Sequence, residues 1–349
     1  MYARSIRLTG LILAGAFLLV STIACGKPAP APTPTMDAAP AAPKAVKIGF
    51  ILGTEQEERY QRDKAAFIEA AEAAGAEVIF LSANNDEATQ ASNVESLLSQ
   101  GVSVLVIQPV NSDNAGVFVE KAHAKNIPVI AYDRMINHKD LDFYAGQNSF
   151  DVGKLQAEAA IAWMTANGGP GKVVICSGQQ GHSVAEAITK ANLDALEAAG
   201  VTVAVKQYHD AWGTEQALAT VENALVSNKD VKAILCNNSG MARGAVQAVE
   251  KAGKIGQIFI TGADADKSNV EYIIEGKQQQ DIYKDEITLA ATAAKLAVDI
   301  ASGKTPDAKD PPTTYKDAVG IKTVLTPVKA ITMENYKDVV VTAGPKYAL

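Results

Sequence analysis

Residues 102–133 read VSVLVIQPVNSDNAGVFVEKAHAKNIPVIAYD. Two short β-branched runs, Val102–Gln108 and Ile127–Asp133, flank a stretch of helical character near Asn114–Lys125. Neither run alternates apolar with polar residues. Both are nearly continuous in apolar side chains, the pattern of strands covered on both faces. Strand, helix and strand of that kind form the unit of a parallel sheet.

Outward from this stretch the unit repeats. Upstream lie strands Val46–Leu52 and Glu77–Leu81 and helices near Tyr60–Ala74 and Glu87–Gln100. Gly75 and Gly101 stand where helix C-caps are expected. Phe143–Asn148 makes a fifth short strand. The pattern then restarts, with strands at Lys172–Ser177, Val201–His209, Ala233–Asn237, Ile258–Gly262 and Gln280–Tyr283. Helices fall near Ser183–Ala199, Thr214–Ser227, Ala242–Ala252 and Lys267–Glu275. The expected fold is α/β, two doubly wound parallel-sheet lobes in series. Such sheets bind ligands beyond the carboxyl ends of their strands, so two facing lobes make a cleft. Two independent domains without a shared site are the alternative, opposed by polar clusters at the strand tips of both halves.

Length and composition agree with two domains: 349 residues, 48% of them hydrophobic. With 32 Lys+Arg against 39 Asp+Glu, the net charge of −7 disfavours nucleic acid as a partner. Three Cys and four His show no metal-ligand spacing, and no metal or cofactor is expected. No nucleophile elbow, P-loop or Gly-rich phosphate fingerprint accompanies the carboxylates, which argues against an enzyme.

The first residues read as a targeting signal. Arg4 and Arg7 precede the apolar run Leu8–Ile23, which ends Ile23-Ala24-Cys25. Residues 1–24 are expected to be a signal peptide. The Cys after Ala24 resembles the lipobox of bacterial lipoproteins, in which the thiol takes a diacylglycerol and becomes the mature N-terminus. Residues 25–45, rich in Pro and Ala, read as an extended tether from that lipid anchor. The body would then work in the periplasm or at the cell surface, held near a membrane.

The strand tips carry the candidate site. In the first half they hold Glu57-Glu58-Arg59-Tyr60 and Tyr132-Asp133-Arg134-Met135-Ile136-Asn137. In the second half they hold Gln179-Gln180-Gly181-His182-Ser183, His209-Asp210-Ala211-Trp212, Asn237-Asn238-Ser239, Gly262-Ala263-Asp264-Ala265-Asp266, and Lys284. A sugar hydroxyl donates one hydrogen bond and accepts two, so it suits Asp or Asn on one side and Arg or Lys on the other. The C–H faces of a sugar ring pack on flat aromatics.

From Lys47 to about Thr326 the chain resembles the periplasmic sugar-binding proteins, a family with ribose-, galactose- and D-xylose-binding members. Tyr132–Asn137 carries the strongest likeness, to the D-xylose-binding branch. Glu58-Arg59-Tyr60-Gln61, Ser82-Ala83-Asn84, Gly262–Asp266 and Tyr283-Lys284 also fit. The resemblance implies a type I periplasmic binding fold with a three-strand hinge. It places 46–149 plus about 287–323 in the N-terminal lobe and 150–286 plus about 324–349 in the C-terminal lobe. It implies one monosaccharide ligand, an ABC permease as partner, and hinge closure on the sugar by a monomer. Arg59, Tyr60, Asp133 and Arg134 would be first-lobe contacts; Trp212, Asn238, Asp264 and Lys284 would be second-lobe contacts. His182 is either a further contact or a plain loop residue.

Two departures concern the ligand. His182-Ser183-Val184 stands where the D-xylose-binding pattern has an Asp and an Asn, and Asn238-Ser239 replaces an Asn-Asp pair. The same fold also serves sensors that present a sugar to a membrane receptor or histidine kinase, which remains the alternative function. A repressor of this fold needs a basic helix-turn-helix head, which residues 1–45 do not supply. His123, His138 and His209 read as surface or loop residues. Cys176 and Cys236 fall on neighbouring strands and are expected as two buried thiols, because bridging adjacent parallel strands demands awkward geometry.

Overall fold

The computed structural model describes residues 46–306, 308–309 and 320–342. The expected signal peptide, Cys25 and the tether lie outside the described residues.

The first lobe is built from β1 (Lys47–Leu52), α1 (Arg59–Ala73), β2 (Glu77–Ser82), α2 (Glu87–Ser99), β3 (Val104–Ile107), α3 (Gly116–His123), β4 (Val129–Tyr132) and β5 (Phe143–Gln147). The second takes α4 (Ser149–Ala166), β6 (Lys172–Ser177), α5 (Ser183–Ala198), β7 (Val203–Tyr208), α6 (Thr214–Ser227), β8 (Val231–Cys236), α7 (Ser239–Lys251), β9 (Phe259–Ala263), α8 (Lys267–Ile274) and β10 (Gln280–Lys284). The chain returns to the first lobe through α9 (Glu286–Ala301) and β11 (Lys322–Thr326), then ends in the second with β12 (Val328–Ile331) and α10 (Tyr336–Thr342).

The sheets run β11-β5-β4-β3-β1-β2 and β12-β10-β9-β8-β6-β7, the same order in corresponding strands. All neighbours are parallel except β10 and β12. Strands such as β3 and β4 are buried along their whole length, as their unbroken apolar runs require. Each sheet has a hydrophobic cluster on either face. Leu97, Leu105 and Phe118 pack on one side of the first sheet, and Phe50, Phe67 and Ala293 on the other.

Three helices, α4, α9 and α10, have no counterpart among the expected elements. The first two begin where the chain changes lobe, and both have a side-chain cap. Asn148 accepts from the Asp151 amide at the start of α4, and Asp285 accepts from the Thr288 amide at the start of α9. The third crossing is Pro327, between β11 and β12. It falls beyond the boundary expected near 323–324, because β11 stays paired to β5 as far as Thr326. Cys176 and Cys236 are register partners on β6 and β8, both buried and unbridged.

Candidate functional site

Each strand tip delivers its side chains into the space between the lobes. In the first half, Arg59 opens α1 and pairs with Asp63 one turn later at 3.2 Å and with Asp133 at 3.3 Å. The Tyr60 hydroxyl donates to Asp133 at 3.2 Å and accepts from Arg134 at the same distance. Gln108 donates to Asp133 at 2.9 Å, and the Tyr132 hydroxyl donates to Asp63. Every member of this network is buried. Asp133 has φ of 59°, a left-handed conformation that Asp tolerates better than bulkier residues and that turns its carboxylate toward both arginines.

The second half relies on loops. Ala211, Trp212, Asp264 and Ala265 all have positive φ. Trp212 ends a single 3-10 turn, Asp210–Trp212. A Cβ at Gly178 would lie 2.5 Å from the indole ring, so only glycine lets the ring settle there. The indole N–H donates to His182 Nδ1 at 2.9 Å. Asn238 caps α7 through the Met241 amide at 2.7 Å, and Lys284 pairs with Asp264 at 2.9 Å.

The lobes are closed on one another. Arg59 reaches Asp264 at 3.6 Å and Arg62 reaches Asp266 at 3.7 Å. On another side, the Ser183 amide donates to Ser112 Oγ at 3.1 Å and Ser183 Oγ accepts from the Met135 amide at 2.8 Å. Between the lobes lies a small cavity of about 20 Å³, closed down to roughly the room of a water molecule. Glu57, Arg59, Tyr60, Asp133, Arg134, Val184, Trp212, Asn238, Asp264 and Lys284 line it.

Every candidate contact except His182 therefore reaches the cavity. His182 is fully buried and does not line it. Its ring accepts from the Trp212 indole. His209 does sit in a loop, but it is buried there, bonded to the Ser177 carbonyl and Thr220. Glu57 is a lining residue outside the expected set. Its place two residues before Arg59 was the available signal. Its Oε2 is buried and has no hydrogen-bond partner among the described residues.

The electrostatics follow from burial and pairing. Burial works to raise the Asp133 carboxyl, but Arg59, Arg134 and Lys284 outweigh it and hold the group below the usual carboxylate range. Asp63 is pushed up to about 6 by burial, against the pull of Arg59. Burial raises Glu57 as well. His182 is pushed down to about 2 by burial, with Arg134 adding to the effect. It is therefore neutral, and since Nδ1 accepts from Trp212, its proton sits on Nε2. Behind the second lobe's tips, burial pushes Asp281 up to about 7.

Around the cavity, Arg59, Arg134 and Lys284 face Glu57, Asp133 and Asp264. The balance of charge suits a neutral ligand, and the alternation of donors and acceptors suits hydroxyls. Two aromatic rings supply flat packing surfaces. Among the described residues, no group of His, Cys, Asp and Glu is arranged to hold a metal ion.

Fold and site together define a two-lobed α/β protein that encloses a small polar ligand between its lobes. The chain belongs to the family described as periplasmic binding protein domain, whose profile matches residues 48–305. It is 36% identical over 310 residues to the D-xylose-binding periplasmic protein of Escherichia coli, covering 86% of this chain and 91% of that protein. The protein of the same name from Haemophilus influenzae is also 36% identical, over 266 residues, covering 75% of this chain and 79% of that one. Among solved structures, a carbohydrate transporter solute-binding protein from Chloroflexus aurantiacus in complex with D-glucose matches with a TM-score of 0.78 and 26% identity, covering 87% and 97% of the two chains. An ABC transporter solute-binding protein from Bacillus halodurans with bound myo-inositol matches with a TM-score of 0.75 and 26% identity, covering 86% and 99%. These are substrate-binding proteins of transport systems, and this chain is one of that class rather than an enzyme.

Proposed function

We propose that this protein captures a neutral monosaccharide, a pentose such as D-xylose before a hexose, and delivers it to an ABC permease by closing its lobes on the sugar. The observation that carries this is the charge-balanced cavity, lined from both lobes and flanked by Tyr60 and Trp212. Relatives named for D-xylose and structural neighbours holding D-glucose and myo-inositol support it.

Closure would use the three crossings at Asn148, Asp285 and Pro327 as a hinge. The sugar's hydroxyls would take the place of water on Arg59, Arg134, Asp133, Asp264 and Lys284, while its C–H faces cover the rings. Hydrogen bonds to charged groups of this kind contribute about 1.5–3 kcal/mol each. Delivery would be by a monomer tethered through a lipid on Cys25, so that the body stays close to the permease.

A thermal-shift screen of pentoses, hexoses and polyols against the protein, with calorimetry on each hit, tests the reading. Binding to the folded state raises the melting temperature by mass action, and a shift from at least one monosaccharide is expected. A shift from an amino acid, nucleoside or peptide with none from any sugar would overturn the proposal. For the anchor, palmitate labelling of the wild type that persists in Cys25→Ala would contradict the lipid on Cys25.

A further inference from the structure

One corner of the cavity is walled by carbon side chains. Val184, in the first turn of α5, is the one aliphatic side chain among the lining residues, and it is buried. Trp212 shares a hydrophobic cluster with it. The polar group of that indole is already engaged, since Nε1–H donates to His182 Nδ1. The other ring is no freer: the Tyr60 hydroxyl lies between Asp133 and Arg134. Both aromatics thus offer carbon surface, and Val184 adds more. The remaining wall is the reverse, with Arg59, Asp133, Arg134, Asp264 and Lys284 and the open oxygen of Glu57.

A ligand that matches this wall is polar on most of its edge and bare at one corner. A hydroxyl lodged against Val184 would lose its water and find no partner, a penalty that size alone would not impose. We propose that the bare corner selects sugars carrying a methylene or methyl there, a pentopyranose or a 6-deoxyhexose, and that Val184 is the residue that rejects the hydroxymethyl group of an ordinary hexose. This rests on the monosaccharide reading and names the ligand class within it.

Three sugars isolate the effect. D-xylose, 6-deoxy-D-glucose and D-glucose share their ring hydroxyls and differ only in carrying hydrogen, methyl or hydroxymethyl on C5. If the screen favours the arabino configuration, L-arabinose, D-fucose and D-galactose form the matching set. Calorimetry on the wild type is expected to place the first two sugars about 10- to 100-fold tighter than the third, the factor an unpaired buried hydroxyl carries. Val184→Thr keeps the shape and adds a hydroxyl, and Val184→Asn adds an amide. Either is expected to narrow the gap, chiefly by improving binding of the hexose, with circular dichroism confirming the fold. A wild type that binds the hexose within threefold of the pentose would overturn the proposal. So would a gap left unchanged in both variants. If no monosaccharide binds at all, the functional reading itself fails and this inference falls with it.

Discussion

The two halves of the site are held by different means. In the first lobe the side chains fix one another: Arg59, Tyr60, Asp63, Gln108, Tyr132, Asp133 and Arg134 form one buried network. In the second, the tips turn on left-handed backbone at Ala211, Trp212, Asp264 and Ala265, fastened from behind where Asp281 and Ser239 accept from the Ala265 and Asp266 amides. A network of paired charges cannot lose one member without stranding another. A loop fastened through its own amides can change its cavity-facing side chains one at a time. The departures from the D-xylose-binding pattern at His182-Ser183-Val184 and Ser239 fall in the second lobe, while the first lobe's one change, Tyr60 for a Trp, keeps an aromatic ring.

The contrast predicts unequal costs for the same chemical change. Asp133→Asn strips a buried carboxylate from two arginines and is expected to destabilise the fold by about 3–5 kcal/mol. Asp264→Asn takes a partner from Lys284 but leaves Arg59 its pairs with Asp63 and Asp133, and is expected to cost less in denaturant unfolding. Both variants should weaken sugar binding by about 2–4 kcal/mol. Equal unfolding costs would break the comparison.

His182 gives the next effect. His182→Ala leaves the Trp212 N–H buried without an acceptor, and an affinity loss of about 1–3 kcal/mol is expected by calorimetry. His182→Gln, which can accept from the indole, should recover part of it. If Ala and Gln behave alike, His182 does not position the ring.

The same residue sets a pH dependence. Its closed-state value of about 2 lies below the usual 6.5, so the folded protein binds fewer protons than the unfolded chain below pH 6.5. Its contribution to stability is full above that pH and declines as pH falls, by up to about 1.4 kcal/mol per unit. Asp63, near 6, and Asp281, near 7, act in the opposite sense. Their folded values are raised, so their contribution is full below about pH 4 and is lost as pH rises through those values. The difference between the wild type and His182→Gln isolates the histidine: the wild type should lose more stability than the variant between pH 6.5 and 4.5. Parallel curves would show that His182 does not stay neutral when buried.

Ser183→Ala should give the smallest change. It removes one lobe-to-lobe hydrogen bond, from the Met135 amide, and touches no cavity residue of the first lobe. A loss of about 0.5–1.5 kcal/mol in affinity is expected, seen as faster release.

The first lobe was the more legible half. Its strands are apolar throughout because helices cover both faces, and its charged tips lie beside recognisable aromatics. The helices α4 and α9 were missed although Asn148 and Asp285 are ordinary cap residues. Their role depends on the chain changing lobes, which local pattern does not encode. His182 was open between contact and loop because its part is set by Trp212, thirty residues away in sequence. Glu57 lies in the same Glu57–Tyr60 run, but a lone loop carboxylate gives no sequence sign of the buried oxygen it presents.

The central claim is that both lobes grip one sugar. Small-angle scattering on the protein, with and without a saturating monosaccharide that calorimetry shows to bind, tests it most directly. The account predicts a smaller radius of gyration with the sugar, approaching that of the closed arrangement described above. An unchanged radius with demonstrated binding would contradict it.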